Sequence, residues 1–176
     1  MKKETLFCAV AFNYHDSSVS FAEGSNITLV LEAERFFRKK KKKCSADEME
    51  RLIKIGLNEI GKEADNIDYW ALATLENPWL SIEERRPLSP FWKDVKIFGK
   101  KRRSLIVNHH LSHAASFLLS PFQEAKIITC DGGGDCGERV TVYDGKGNSI
   151  KRNEVDVSEF MTAKPYDLCS TYLYGS

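Results

Sequence analysis

No apolar run in this 176-residue chain approaches the roughly 20 residues that a membrane-crossing helix takes. The opening residues, Met1-Lys2-Lys3-Glu4, pass directly into a strand-like run. They lack the long apolar region and small-residue cleavage site of a secretory signal. Neither sign of charge dominates: 26 Lys and Arg against 25 Asp and Glu leave +1, with no global pull toward nucleic acid or membrane. Five cysteines are an odd number without regular spacing, so no disulfide framework is read. Reduced thiols and a cytoplasmic location are expected. Histidine is scarcer still, at four residues, and three of the four fall in Asn108-His109-His110-Leu111-Ser112-His113.

What is present has an order. Leu6 to Phe12 reads as a buried strand, Ser17 to Ala22 as an alternating one, and Ile27 to Ala33 as a third, with a hairpin turn at Glu23-Gly24-Ser25-Asn26. Three consecutive antiparallel strands therefore open the chain. Ser45 with Glu48 three residues on forms a capping-box pattern. Met49, Leu52, Ile53, Ile55, Gly56, Leu57 and Ile60 then give a helix its apolar face. Ile67 to Leu75 is strand-like. Asn77 to Arg103 is expected to be an irregular excursion, because Pro78, Pro87, Pro90 and Gly99 interrupt it. Strand Leu105–Val107, helix His110–Leu119 and strands over 126–130, 139–143 and 149–157 follow, with a further helix beginning at Pro165–Tyr174. This order predicts an α/β lobe with a mixed sheet flanked by helices, half of a two-lobed phosphotransfer-type fold.

Four segments carry chemistry. His109 and His113 are four apart, so on a helix both imidazoles leave one face and can hold one metal ion. Polar histidines at a helix start are the ordinary alternative, and the pattern does not choose between them. It is not the zinc-protease motif, which has Glu after the first His, where this chain has His110. In Asn13-Tyr14-His15-Asp16-Ser17-Ser18, the hydroxyls and amides of Ser17 and Ser18 can cradle a phosphate. His15 can serve there as a general base oriented by Asp16, although a plain polar turn is the commoner use. In Thr129-Cys130-Asp131-Gly132-Gly133-Gly134, an acid ends a buried strand and Asp131, Gly132 and Gly133 can bring a cofactor close to backbone amides. No Gly-Lys-Ser/Thr follows, so it is not a Walker loop. The run Arg35–Lys43 is either a nucleic-acid or other polyanion site or, over Lys40–Lys43 above all, a solvated loop. Trp70, Trp79 and Trp92 have no spacing that suggests a stacking platform.

Taken together, Ala11-Phe12-Asn13-Tyr14-His15-Asp16-Ser17-Ser18, Glu32-Ala33-Glu34-Arg35-Phe36-Phe37-Arg38-Lys39-Lys40, Asn108-His109-His110-Leu111-Ser112-His113-Ala114-Ala115-Ser116 and Thr129-Cys130-Asp131-Gly132 resemble the N-terminal part of the O-carbamoyltransferases of nodulation-factor and antibiotic tailoring. The resemblance implies one lobe of an actin-like ATPase (ribonuclease-H-like) fold, similar to the tRNA threonylcarbamoyl-transfer proteins. It implies ATP and carbamoyl phosphate as co-substrates and a carbamoyl-adenylate that donates its carbamoyl group to a hydroxyl-bearing small molecule. It further implies His109 and His113 as ligands of a divalent metal, iron above all, and His15 as the base near the acceptor.

Members of that family are several times longer. A second lobe supplies another aspartate ligand, and a separate domain makes the adenylate. The chain is therefore expected to be a single N-terminal lobe, 1–176, completed by a second lobe, a partner subunit or another copy of itself, and inactive alone. Two other readings remain: a non-catalytic nucleic-acid or polyanion-binding module on the same fold, and a metal-dependent nucleotide hydrolase.

Overall fold

A computed structural model describes residues 4–13, 16–87 and 89–154. Two compact units make up the chain, and the boundary falls between Asn108 and His109.

The first unit is a six-stranded mixed sheet. Its strands are β1 (Leu6–Ala11), β2 (Ser18–Glu23), β3 (Asn26–Glu32), β4 (Tyr69–Ala73), β5 (Phe91–Ile97) and β6 (Lys100–Val107), in the order β3-β2-β1-β4-β6-β5. β2 runs antiparallel to both β1 and β3, whereas β1, β4 and β6 are parallel. This is the strand order of a ribonuclease-H-like lobe, the unit from which actin-like ATPases are built, and it agrees with the expected fold. β5 is added as an antiparallel edge strand.

Alternation decides which face is filled. Leu6, Cys8 and Val10 of β1, Val19 and Phe21 of β2, and Trp70 and Leu72 of β4 are all buried. Against them lie Met49, Leu52, Ile53 and Leu57 of helix α2 (Ala46–Glu59), which packs on β2 and β3. The capping box forms: Ser45 Oγ accepts from the Glu48 amide at 3.2 Å, and a Glu48 carboxylate oxygen accepts from the Ser45 amide at 2.9 Å. Gly56 lets the helix approach closely, since a Cβ there would overlap the Phe21 ring. A five-residue helix α1 (Ala33–Phe37), absent from the sequence reading, connects β3 to the lysine loop.

The opposite face of this sheet is apolar and open. Phe7, Tyr69 and Trp92 form a row with ring centroids 5.6 Å and 5.9 Å apart, each ring between a third and a half exposed. A cavity of about 330 Å³ lies over them, floored by Ala9, Ala71 and Leu105.

The excursion over 77–103 is more ordered than its prolines suggested. Asn77 is fully buried and ends β4 with an Asx turn, its side chain donating to the Ala73 carbonyl and accepting from the Trp79 amide, each at 3.0 Å. Phe91 to Val107 then forms the β5–β6 hairpin, turning at Phe98 and Gly99, both left-handed (φ 51° and 72°). Lysines and arginines at the exposed positions hide the alternation that buries Val95 and Ile97.

The second unit holds helix α3 (His109–Ala114), a 3-10 turn through Leu119, and a three-stranded antiparallel sheet of β7 (Glu124–Cys130), β8 (Val140–Lys146) and β9 (Ser149–Asn153). The helix expected to run to Leu119 is thus α-helical only to Ala114. The Pro165–Tyr174 helix and the end of the strand expected to reach Val157 lie outside the described residues. Among the described residues, no helix is long and apolar enough to cross a membrane.

Candidate metal centre

The site lies wholly within the second unit. α3 packs on β7, so the helix start faces the end of the strand and the glycine turn after it. The i, i+4 spacing sends His109 and His113 the same way, with Nε2 atoms 3.2 Å apart. At the end of β7, Asp131 aims Oδ2 at both rings, 2.6 Å from His109 Nε2 and 3.5 Å from His113 Nε2. From sequence, a third ligand is expected only from a second lobe. The structure places a carboxylate from 22 residues further along beside the two imidazoles.

This donor set fits a cation. One atom from each of the three side chains lies within 4.8 Å of the others. Donors about 2.1 Å from a common metal stand about 3 to 3.4 Å apart, close to two of the three separations here. The shorter His109–Asp131 contact is a hydrogen bond in which the ring N–H donates, and a cation would replace its proton. Two imidazoles and one carboxylate match the two-His-one-carboxylate set of non-haem iron, and also suit zinc. Three protein donors leave coordination positions open. The His113 side chain is 55% exposed and that of His109 8%, so one side of the triad is accessible to a ligand.

Electrostatics favour the metal-ready protonation states. Burial and the neighbouring His109 depress the His113 pKa, and Asp131 only partly offsets this, so the ring is neutral near pH 7. Partial burial pushes Asp131 upward. Hydrogen bonds from His109 and from the Gly132 and Gly133 amides outweigh that, leaving the carboxyl below the usual carboxylate range. The Gly132 amide donates to Asp131 Oδ1 at 2.5 Å. The amides of Gly132 and Gly133, expected to approach a cofactor, are turned onto Asp131. The Gly132 amide holds Oδ1, and Oδ2 faces the histidines.

Residues around the triad fix its geometry. The Asp135 carboxylate is buried and accepts from the His109 backbone amide at 2.8 Å. His110 is fully buried. Its Nε2 donates to the Glu138 carbonyl at 3.0 Å, and its Nδ1 lies in hydrogen-bond contact with the Thr129 hydroxyl at 2.7 Å. A Cβ on Gly134 would overlap the His110 ring, so this glycine is required by close approach. Asp135, Thr129 and Glu138 received no role in the sequence reading. The visible hint was a second aspartate four residues after Asp131.

The remaining expected residues belong to the first unit. His15 lies outside the described residues. Asp16 is exposed with a left-handed backbone (φ 78°), and Ser18 is half-buried at the start of β2. Ser17, expected to face a cofactor, is fully buried; its Oγ accepts from the Cys44 amide at 3.1 Å and the Asn13 amide at 3.5 Å. That hydroxyl ties the β1–β2 turn to the end of the lysine loop.

The first unit has the strand order of a ribonuclease-H-like lobe, and the second unit carries a candidate two-His-one-Asp metal centre. No family model matches the chain. An uncharacterized protein of Methanocaldococcus jannaschii is 30% identical over 121 residues, 69% of this chain and 21% of that protein. An uncharacterized protein of Synechocystis sp. is 27% identical over 179 residues, 83% of this chain and 28% of that protein. The chain thus spans between a fifth and a third of the length of these curated relatives. Among solved structures, the Aquifex aeolicus member of the Ppx/GppA family is similar with a TM-score of 0.43 and 11% identity, covering 88% of this chain and 53% of that one. The type II variant of the Aquifex aeolicus Ppx/GppA phosphatase gives a TM-score of 0.42 and 10% identity, covering 90% and 55%.

Proposed function

We propose that this chain supplies the metal-binding part of a nucleotide-dependent enzyme, and that the reaction is carbamoyl transfer to a hydroxyl. The observation that carries the metal assignment is the convergence of His109, His113 and Asp131, three donors from separate positions, on one accessible point. The motif order from Asn13 to Gly132 supports the choice of reaction.

In this reading His109, His113 and Asp131 hold the cation. When bound, a divalent cation offsets negative charge on a phosphate and activates the bond to it. Asp131 contributes one oxygen, because Gly132 holds the other. The acceptor oxygen forms a bond to the carbamoyl carbon, the bond from that carbon to the adenylate phosphate oxygen breaks, and AMP leaves. The hydroxyl proton passes to a base, for which His15 is proposed. A second lobe, from connected polypeptide, a partner subunit or another copy, is proposed to complete the nucleotide site.

The second reading is a metal-dependent nucleotide hydrolase. The open side of the triad favours it as well, because water can occupy the position given above to the acceptor.

Two measurements decide. Calorimetric titration of the chain with iron(II), without oxygen, and with zinc should give one site per chain, lost in His113→Ala. No such site would end both readings. ATP consumption is then followed with and without carbamoyl phosphate. Consumption that requires carbamoyl phosphate, once the second lobe is supplied, supports transfer. Consumption by the chain alone that ignores carbamoyl phosphate and disappears in His113→Ala replaces transfer with hydrolysis.

A further inference from the structure

We propose that Asp135 is a positioning residue of the metal centre, acting through the backbone of His109. This inference rests on the metal reading above and adds a residue that would touch neither the cation nor a substrate.

Asp131 and Asp135 sit at opposite ends of the glycine segment between β7 and β8. Four backbone hydrogen bonds close that segment: Asp131 to Arg139 at 2.8 Å, Gly134 to Glu138 at 2.6 Å, Gly137 to Gly134 at 3.1 Å and Glu138 to Asp135 at 3.2 Å. Glycines at 132, 133 and 134 would otherwise leave this loop free to adopt many conformations. The closed turn makes the two carboxylates parts of one body.

That body grips α3 at two levels. Asp131 reaches the His109 side chain at 2.6 Å, and Asp135 reaches the His109 main chain at 2.8 Å. A six-residue helix leaves its first amides without partners in the helix, so the His109 N–H needs an acceptor from elsewhere. Asp135 Oδ2 provides one while the residue is only 4% exposed, where water cannot readily take its place. The same carboxylate therefore satisfies the helix start and sets the distance from the turn to His109.

Rotation about that single bond is prevented by His110. Its ring is held by Thr129 of β7 and by the Glu138 carbonyl, while Gly134 leaves room for it. The Asp135–His109 contact and the His110 contacts lie on neighbouring residues of α3 and act on the same turn. Together they hold His109 and His113 opposite Asp131 before any cation arrives. Remove the Asp135 acceptor and α3 keeps His110 as a pivot but loses the contact that fixes the His109 main chain.

The test uses the full chain with cobalt(II) alone as the probe, read by calorimetry and by the ligand-field absorption of the complex. Asp135→Ala is expected to weaken cobalt binding about 10- to 100-fold, the range seen when outer partners of metal ligands are removed. It should also alter the absorption spectrum while leaving one site per chain. Asp135→Asn, which keeps an acceptor oxygen, should recover most of the affinity and the wild-type spectrum, whereas Asp135→Leu, of similar shape but with no acceptor, should not; equal recovery by both would reduce Asp135 to a space-filling role and overturn the proposal. If Asp135→Ala fails to fold, Asp135→Glu decides, since it keeps the charge and displaces the oxygen by one methylene. In the metal-free protein, the His109 amide proton and both histidine ring signals should shift in Asp135→Ala by NMR. If the wild-type chain binds no cobalt while Asp135→Ala still shows these shifts, the metal reading falls and Asp135 stands as a positioning residue of the His109–His113–Asp131 cluster. Unchanged cobalt affinity, spectrum and ring signals in the altered chain overturn the proposal.

Discussion

Asp131 Oδ2 stands 2.6 Å from His109 Nε2, while its other oxygen accepts from the Gly132 amide. One carboxylate is thus anchored by its own turn and directed at an imidazole across the interface between strand and helix. Removing it has two effects. Asp131→Ala should abolish metal binding, and it should leave the nearly buried His109 N–H without its partner. That second effect costs about 1–3 kcal/mol of stability in the metal-free chain. His113→Ala should abolish binding with a smaller stability loss, because His113 is half-exposed. Calorimetry and urea unfolding of both variants check the contrast.

The depressed His113 pKa sets a direction for pH. A histidine harder to protonate when folded means that the unfolded chain binds more protons over the interval between the folded pKa and about 6.5. Stability should therefore fall as pH drops through about 6.5 and level off below the folded pKa. Metal binding should weaken over the same interval, since protons compete for the ring. Asp131 acts with the same sign at more acidic pH, below the ordinary carboxylate range. Urea midpoints for wild type and His113→Ala between about pH 7.5 and about pH 5 should converge toward the acid end; parallel curves would contradict the assignment.

Gly134→Ala should destabilise the second unit by about 1–3 kcal/mol, because the added methyl group overlaps the His110 ring and the turn backbone cannot yield freely. Its cobalt affinity should fall with its stability. Thermal melts and metal titration of the same preparation provide the check.

Ser17→Ala should cost about 1–3 kcal/mol by leaving the buried Cys44 amide without an acceptor. Metal affinity should be unchanged, since every triad residue belongs to the second unit. A loss of metal binding at unchanged stability would assign Ser17 a ligand role after all.

The open face of the first sheet should bind a hydrophobic dye such as ANS. Trp92→Lys should reduce that fluorescence with little change in the unfolding midpoint, because Trp92 is already 44% exposed. Dye binding equal to wild type in Trp92→Lys would show that the fluorescence comes from elsewhere.

Much of the fold was legible because it is locally encoded. Alternation over Leu6–Ala11 and Ser18–Glu23 and the Ser45–Glu48 cap depend on neighbours a few residues apart, and each formed where the pattern put it. The β5–β6 hairpin was missed because Lys93, Lys96, Lys100 and Lys101 obscure two buried positions among prolines and aromatics. α3 ended earlier than its pattern suggested, and the chain tightens to a 3-10 turn from Ala115.

For the candidate site, the sequence alone determined that His109 and His113 share a helix face, a consequence of four-residue spacing and helical geometry. Only the tertiary structure decided what faces them. The pairing of α3 with β7 brings Asp131 across 22 residues, turns the Gly132 amide inward and makes Asp135 the acceptor for the His109 amide. It also closed Ser17 into the core, although its place in a polar turn offered its hydroxyl to a phosphate. Spacing along one helix fixes angles between its own side chains. The position of a distant carboxylate depends on sheet register and on how a glycine-rich turn closes, and neither is written in any short stretch of residues.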